Sequence, residues 1–259
     1  MANFISEDQI EKAAAALLKN TYGYRTLNCF TTDIENLSDN SNRKTKKDVV
    51  FFDILKKIAL KLNPSIPEPV IEQALENLTS QRYAMSPILA NKEVYELIRN
   101  GVPVQFENKE GKNEQGTVKV IDFDNPDNND FLAVTQLWIK GERYPRRPDI
   151  LVYINGLPLV FIELKNSNVK LQNAYDDNLV NYKHDIPYLF NYNAFCVLSN
   201  AIETRVGSFT AGYEYFFSWL RVDDETEKVN RKSIEQEGTS LERVIHGLFP
   251  KKRLLDYIE

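Results

Sequence analysis

Three charged residues interrupt an otherwise apolar stretch that runs from Arg146 to Asn166. Asp149 stands near its start, and Glu163 and Lys165 stand near its end. A carboxylate in an apolar strand is costly without a partner, so two carboxylates and a lysine at one end of a predicted hairpin call for a common cause. A divalent cation held by both carboxylates, with the lysine beside the phosphate that is attacked, supplies that cause.

The turn of this hairpin decides whether the charged residues can meet. Glu163 and Lys165 are two positions apart on a strand and therefore share a face. A two-residue turn at positions 155–156, the Asn-Gly pair, would place Asp149 opposite Ile162. That register puts Asp149 on the opposite face from Glu163, and the two carboxylates could not share an ion.

A three-residue loop at positions 154–156, with its glycine left-handed in a bulge, gives a different register. It places Asp149 opposite Phe161, with Glu163 as its diagonal neighbour about 7–8 Å away. A metal site therefore requires the bulged hairpin. The competing interpretation is an ordinary hairpin with a surface ion pair between Glu163 and Lys165, a pairing common on exposed strands.

Composition excludes several classes of protein. The chain has 259 residues, 42% of them hydrophobic and 27% charged, which is an ordinary profile for a water-soluble domain. No apolar run reaches the roughly 20 residues of a membrane span, and the N-terminus lacks the features of a signal peptide. Two distant cysteines favour a reduced, cytoplasmic setting, and two histidines argue against a zinc site. Any bound metal should be hard and oxygen-liganded.

Basic residues surround the predicted hairpin, although the net charge of the chain is −5. They lie just before and just after it: Lys140, Arg143, Arg146, Arg147, Lys165 and Lys170. A basic rim around an acidic pocket is what a metal-dependent phosphodiesterase needs to hold DNA. A solvated loop is the alternative explanation for the same charges.

Hydrophobic periodicity predicts an α/β sandwich in which a mixed sheet is covered by helices on both faces. Helices are predicted at 6–20, 48–62, 67–81, 91–99, 171–183 and 240–249. Strands are predicted at 102–107, 116–123, 131–139, in the two arms of the hairpin and at 194–199, with 204–210 and 213–220 extending or covering the sheet. The polar segment 32–47 is predicted to be a mobile loop, and 225–238 a charged linker.

Two helices carry further candidate residues. Ser6 and Gln9 form a capping box at the start of the first helix, in which Glu11 either faces the metal or flanks the apolar face. Asn178 and Tyr182 are four positions apart and share one side of the helix after the hairpin. Tyr182 contacts DNA or orients the lysine in one interpretation, and packs in the core in the other.

The charged residues also resemble a family signature. Pro148-Asp149 followed by Glu163-Leu164-Lys165 resembles the PD-(D/E)xK nuclease motif, which is short and weakly specific. The stretches NPDNNDFLAVTQ, RRPDILVYINGLPLVFIELKN and IPYLFNYNAFCVLSNA are more specific, and they resemble the N-terminal endonuclease domain of the R subunit of type I restriction enzymes. The resemblance runs from position 6 to the C-terminus, where LFPKKRLLDYI is similar to the linker that leads into the motor domains.

The resemblance implies roles for the hairpin residues. Asp149 and Glu163 would bind Mg²⁺, with the Leu164 carbonyl as a candidate third ligand. Lys165 would polarise the phosphate or position the attacking water.

The resemblance also implies roles outside the hairpin. The family has a Gln-x-x-x-Tyr motif on the following helix, and the matching positions here are Asn178 and Tyr182, so the amide is one methylene shorter. Glu11 matches an acidic residue of the family's first helix. Independently of the resemblance, the charge of the basic rim makes four residues the expected DNA contacts: Arg143, Arg146, Arg147 and Lys170.

The expected domain organisation is a PD-(D/E)xK endonuclease domain at 1–225, with an inserted helical region at about 45–100, and a linker with a helix at 226–259. The resemblance implies that ATP-driven motor domains follow this chain in the full subunit. The chain itself contains no G-x-x-x-x-G-K-[ST] motif, so it should not hydrolyse ATP by itself. Double-stranded DNA and the methyltransferase (modification and specificity) subunits would be the partners, with no membrane involved. A stand-alone nuclease, or a nuclease-like module that binds DNA or docks other subunits without catalysis, are the competing functions.

Overall fold

A six-stranded mixed sheet forms the centre of the protein, for which a computed structural model describes residues 4–107, 111–222 and 238–259. The strands of the described residues are β1 (Arg25–Asn28), β2 (Val102–Glu107), β3 (Asn113–Val118), β4 (Phe131–Thr135), β5 (Ile139–Lys140), β6 (Pro145–Arg146), β7 (Ile150–Ile154), β8 (Leu157–Leu164), β9 (Phe195–Ser199) and β10 (Thr204–Gly207). The central sheet has the order β1-β4-β7-β8-β9-β10. The pairs β2–β3 and β5–β6 form two small separate sheets.

The central sheet mixes both strand directions. The pairs β1–β4 and β8–β9 are parallel, whereas β4–β7, β7–β8 and β9–β10 are antiparallel. Every residue of β4, β7, β8 and β9 is buried. This arrangement confirms the predicted α/β class with a mixed sheet and is consistent with a restriction-endonuclease-like fold.

Some of the helices pack against this sheet, whereas others form a group of their own before β2. Their bounds are α1 (Glu7–Tyr22), α2 (Phe52–Leu62), α3 (Glu68–Thr79), α4 (Pro87–Asn100), α5 (Val180–Asp185), α6 (Ser240–Leu248) and α7 (Lys251–Ile258). A π-helical segment, Ala174–Leu179, leads directly into α5 and lies against β8 and β9. The long helix predicted at 171–183 is therefore divided into two kinds of helix, and π segments of this type are often found at functional sites.

The first helix begins where the sequence predicts. The Ser6 hydroxyl accepts a hydrogen bond from the Gln9 backbone N–H at 3.3 Å, and the Gln9 side chain accepts one from the Ser6 N–H at 3.0 Å. Gly23 ends the helix with φ of 65°, a left-handed conformation that glycine adopts readily. The capping box thus fixes the start of α1 beside the hairpin, because the Glu7 N–H bonds the Asn166 side chain at 2.9 Å.

The segment 32–47 contains no helix or strand, but it is anchored by a buried ion cluster. The Asp39 carboxylate lies 2.9 Å from the Arg43 guanidinium and 2.7 Å from the Lys46 ammonium, and all three side chains are almost fully buried. Arg43 also donates to the Trp138 carbonyl at 2.9 Å. The expectation of a mobile loop rested on the lack of apolar anchors, whereas the anchors of this segment are charged.

Helix α6 and the residue that follows it pack on the first helix and on Tyr24 just beyond its end. The Tyr22 hydroxyl lies 2.7 Å from Nδ1 of His246 in α6, and the Tyr24 hydroxyl donates to the Phe249 carbonyl at 2.9 Å. The described part of the region expected as a linker and helix, 238–259, therefore contributes to the core around α1. Most of the charged segment predicted as a linker, 225–237, lies outside the described residues. Within the described ranges, no helix is both long and apolar enough to cross a bilayer.

Candidate active site

The β7–β8 hairpin turns at two residues, which corrects the predicted three-residue loop. Ile154 pairs with Leu157, and the intervening Asn155 and Gly156 have φ of 53° and 84°. Both residues are left-handed, as in the tightest hairpin turns. Gly156 is required, since a Cβ there would lie 2.4 Å from the Phe51 carbonyl oxygen before α2.

A bulge in β8 then restores the geometry that a metal site bound by both carboxylates would need. Tyr153 pairs with Pro158, but Val152 pairs with Val160, so one residue of β8 is left over. Beyond the bulge, Ile150 lies opposite Ile162. The same register extended by one residue places Asp149 opposite Glu163, and the predicted opposition to Phe161 is wrong. The bulge lies within the strand and not in the turn, yet it also brings both carboxylates to one face.

Asp149 is held at this position by the backbone of β8. Its Oδ2 accepts the Leu164 N–H at 2.7 Å, and the residue is only 6% exposed. Burial raises the pKa of the Asp149 carboxyl to about 7, against the effects of that hydrogen bond and of the Lys165 ammonium. The nearby Glu7 and Glu11 carboxylates of α1 raise the pKa further.

Glu163 is the most deeply buried acid of the site. Its Oε1 lies 3.2 Å from the Lys165 ammonium, while Oε2 is buried and has no hydrogen-bond partner among the described residues. Burial raises the pKa of the Glu163 carboxyl well above its usual range, and the Asp149 carboxylate adds to the rise. An orphaned carboxylate oxygen beside a second buried carboxylate is a position where a cation would be stabilised.

Lys165 completes the predicted triplet. Its Nζ donates to the Leu164 carbonyl at 2.9 Å and to Glu163 at 3.2 Å, and its side chain is 15% exposed. The Lys165 backbone N–H bonds the Ser199 carbonyl of β9 at 2.8 Å, which continues the ladder past the end of the strand. The Leu164 carbonyl, the candidate third ligand, thus faces the same charged group as Glu163.

The first helix contributes two acids to the site. Glu11 is 7% exposed and lies on the buried side of α1, where the amide of Gln136 donates to its Oε2. Burial raises the pKa of the Glu11 carboxyl, and the Arg147 guanidinium opposes the rise. Glu7, one turn earlier, was missed by sequence reasoning because it resembles an ordinary acidic residue of a first helical turn. Its i, i+4 spacing from Glu11 was the available signal.

Tyr182 lies between the core and the site. Its ring meets Phe161 edge-on at 5.3 Å, and its hydroxyl donates to the Arg147 carbonyl at 3.0 Å, just before Pro148-Asp149. Burial raises the pKa of the Tyr182 hydroxyl, the Glu163 and Asp149 carboxylates raise it further, and a hydrogen bond with Asn178 opposes them. Asn178 is therefore within reach of Tyr182 from the π-helical segment.

The basic residues differ in what they contact. Arg143 and Lys170 are exposed, as a phosphate contact requires. The Arg146 guanidinium is in an ion pair with the Asp185 carboxylate, with Nε at 2.6 Å from Oδ2. This ion pair holds the Arg146 side chain at the end of α5.

Arg147 is enclosed by aromatic rings. Its guanidinium carbon lies 5.3 Å from the Phe30 ring centre and 5.0 Å from that of Trp138. The structure therefore holds two of the four expected DNA contacts, Arg146 and Arg147, in specific interactions with protein groups.

The donor set is small for a metal centre. In the parts of the chain that the structure describes, no group of three or more His, Cys, Asp or Glu side chains is arranged to hold a metal ion. The candidate centre consists of two carboxylates, from Asp149 and Glu163, and the Leu164 carbonyl. A cavity of about 660 Å³ lies away from this centre, between β1, the segment around Arg43 and the start of α2.

Comparison with known proteins identifies similar sequences over most of the chain. Residues 4–215 match the family model described as "Type I restriction enzyme R protein N terminus". The type I restriction enzyme HindI endonuclease subunit of Haemophilus influenzae is 36% identical over 214 residues, which are 81% of this chain and 20% of that protein. A Methanocaldococcus jannaschii protein named "Putative type I restriction enzyme MjaIXP endonuclease subunit" is 30% identical over 276 residues, 98% of this chain and 25% of the relative. The chain thus spans about a fifth to a quarter of the length of these relatives.

Proposed function

Because the chain belongs to the type I restriction enzyme R protein N-terminal family, we propose that it is the DNA-cleaving domain of a restriction subunit. In this proposal it hydrolyses phosphodiester bonds of double-stranded DNA. The observation that carries the proposal is the orphaned, buried Oε2 of Glu163 beside Asp149 and Lys165. A binding module would gain nothing from the free-energy cost of two buried carboxylates at one strand end.

Magnesium fits the residues that are present. Asp149 and Glu163 are hard oxygen ligands, and the Leu164 carbonyl supplies a third, so these groups would hold the ion. Bound there, the ion would neutralise charge on the phosphate and lower the pKa of a water molecule. The buried Glu163 oxygen would then gain the partner that it lacks among the described residues.

The protein's own groups have separate tasks in this proposal. Lys165, held by Glu163 and the Leu164 carbonyl, places a positive charge where the scissile phosphate would lie. Tyr182 binds the carbonyl of Arg147 and so fixes the segment that carries Asp149. Glu11 on α1 adds negative charge beside Asp149.

The rim would hold the DNA backbone. Arg143 and Lys170 are exposed and contribute charge directly, whereas Arg146 and Arg147 are anchored by Asp185 and by aromatic rings. Salt should therefore weaken DNA binding, because each neutralised phosphate releases counterions.

The remaining parts of the proposal concern the longer protein. The two relatives described above are four to five times longer than their match to this chain, which favours a multidomain subunit over a stand-alone nuclease. We place ATP-driven DNA translocation in the rest of the subunit and the division between nuclease and linker near position 225. Modification and specificity subunits would be its partners, in the cytoplasm.

The test uses the full-length subunit in the assembled enzyme. Asp149→Ala and Glu163→Ala should each abolish DNA cleavage and leave ATP-driven translocation at the wild-type rate, because the motor lies outside this chain. Arg25→Ala, which removes a surface ion pair with Asp130, serves as a control that keeps both activities. Equal loss of cleavage and translocation in a folded variant, or full cleavage by either alanine variant, would contradict the proposal.

A further inference from the structure

Gln136 has an unusual backbone conformation next to the site. It directly follows β4 and has φ of 57°, in the left-handed region that residues with a Cβ adopt only rarely. Glycine or asparagine would be accommodated there with less strain. A glutamine at such a position suggests that its side chain has a role that offsets the strain.

The contacts of Gln136 indicate what that role is. Its backbone N–H donates to the Asp149 carbonyl at 3.1 Å. This is the last backbone hydrogen bond between β4 and the segment that carries the Asp149 carboxylate. Its side-chain Nε2 donates to Oε2 of Glu11 on α1. One residue thus binds the backbone of the first candidate ligand and the carboxylate of a nearby acid on another element.

Charged groups also act on the Glu11 carboxylate. The Arg147 guanidinium is near enough to act on the Glu11 carboxylate, and it is held in place between the rings of Phe30 and Trp138. The Asp8 and Glu7 carboxylates of α1 act on Glu11 in the opposite sense. Among these groups, the Gln136 amide is the one that is hydrogen-bonded to Glu11, and it therefore fixes where the carboxylate lies.

We propose that Gln136 is a positioning residue that fixes the Glu11 carboxylate beside Asp149, so that α1 contributes to binding of the divalent cation. The proposal rests on the proposed function, since it assigns the cation to the Asp149–Glu163 pair. It adds a residue that acts through Glu11 and does not itself touch the ion.

The decisive variant is Gln136→Asn. Asparagine retains the amide and favours the left-handed backbone, but it is one methylene too short to reach Glu11. We expect its metal-free melting temperature to equal or exceed that of the wild type. Its dissociation constant for Ca²⁺, measured by titration calorimetry of this chain, should rise about tenfold, as for other residues that orient metal ligands.

Two further variants test the link through Glu11. Glu11→Gln should weaken Ca²⁺ binding by a similar factor, and the double variant with Gln136→Asn should be no weaker than Glu11→Gln alone, because the two residues act as one unit. Gln136→Leu removes the amide at similar length and should also weaken Ca²⁺ binding. A purely structural contact predicts the opposite pattern, with lower melting temperatures and unchanged Ca²⁺ affinity, and that result would overturn the proposal.

Cleavage by the full-length subunit separates this inference from the proposed function. Gln136→Asn should need about ten times more Mg²⁺ for half-maximal cleavage and should recover at high Mg²⁺. If Asp149→Ala abolishes Ca²⁺ binding and cleavage while Gln136→Asn leaves both unchanged, only the positioning role is wrong. If Asp149→Ala leaves both unchanged, the proposed function itself fails.

Discussion

Two buried acids in this protein have opposite environments. Asp39 accepts hydrogen bonds from Arg43, Lys46 and Ser41, and although burial opposes ionisation, these partners lower the pKa of its carboxyl to about 2. Burial raises the pKa of the Asp149 carboxyl to about 7, with one backbone N–H and a lysine as the main opposing influences. The fold satisfies the charge of the first acid and leaves that of the second under-compensated.

The difference distinguishes a charge that anchors a loop from one that we propose to be functional. A buried carboxylate with two cationic partners anchors a loop and has no capacity left for a ligand. A buried pair of carboxylates with an orphaned oxygen is unfavourable until a cation arrives, and such under-compensated groups concentrate at functional sites. Mutations that remove charge from the two regions should therefore have opposite effects on stability.

The largest effect is expected for Asp39→Asn. This change leaves the Arg43 and Lys46 charges buried without their anion, which should lower the free energy of unfolding by about 3–5 kcal/mol. Urea unfolding of the chain at pH 7 measures the change. A loss below about 1 kcal/mol, typical of exposed ion pairs, would mean that the segment 32–47 is more open than the structure indicates.

Asp149→Asn should have the opposite sign. At pH 8 in EDTA it removes an under-compensated buried charge, so the free energy of unfolding should rise by roughly 2–4 kcal/mol. Adding Mg²⁺ should raise the melting temperature of the wild type and not that of the variant, since only the wild type retains the ligand. A variant less stable than the wild type under these conditions would show that Asp149 is structurally compensated, like Asp39.

The pH dependence follows from the same pKa values. The folded-state pKa of Asp149 lies above the unfolded value of about 3.9, so metal-free wild type should gain stability as pH falls from 8 through 7 toward 4. Asp149→Asn should show much less of this gain. Asp39 behaves oppositely, and its contribution should be present above pH 4 and lost as pH falls toward 2.

The sequence predicts the proposed functional region, around Asp149 and Glu163, better than the structural one around Asp39. Asp149, Glu163 and Lys165 stand out because charges in an apolar strand need an explanation. The bulge lies at Leu159 and not in the turn. The Asn155-Gly156 turn packs against Phe51, a contact that no local pattern reveals.

The charged anchor of the 32–47 segment and the conformation of Gln136 were not predictable for related reasons. From the sequence alone, Asp39 and Arg43 are predicted to be polar loop residues. Their burial depends on distant contacts, such as the one between Arg43 and the Trp138 carbonyl, 95 positions away. Gln136 is an ordinary residue in a predicted strand at 131–139, and its left-handed φ ends β4 early. Both features arise from tertiary contacts rather than local propensity.

The smallest change, Tyr182→Phe, tests how far the functional region extends beyond its carboxylates. Only the hydroxyl is lost, so the ring keeps its edge-on contact with Phe161, and the free energy of unfolding should fall by no more than about 0.5–1.5 kcal/mol. The Arg147 carbonyl loses its donor, however, and the segment that carries Asp149 is less firmly held. Cleavage by the full-length subunit should therefore drop severalfold while the melting temperature hardly moves.

Tyr182→Ala is the matched comparison, because removing the buried ring should lower the free energy of unfolding by about 3–5 kcal/mol. Full cleavage by the phenylalanine variant would limit the role of Tyr182 to packing and confine the functional region to the strand end and α1.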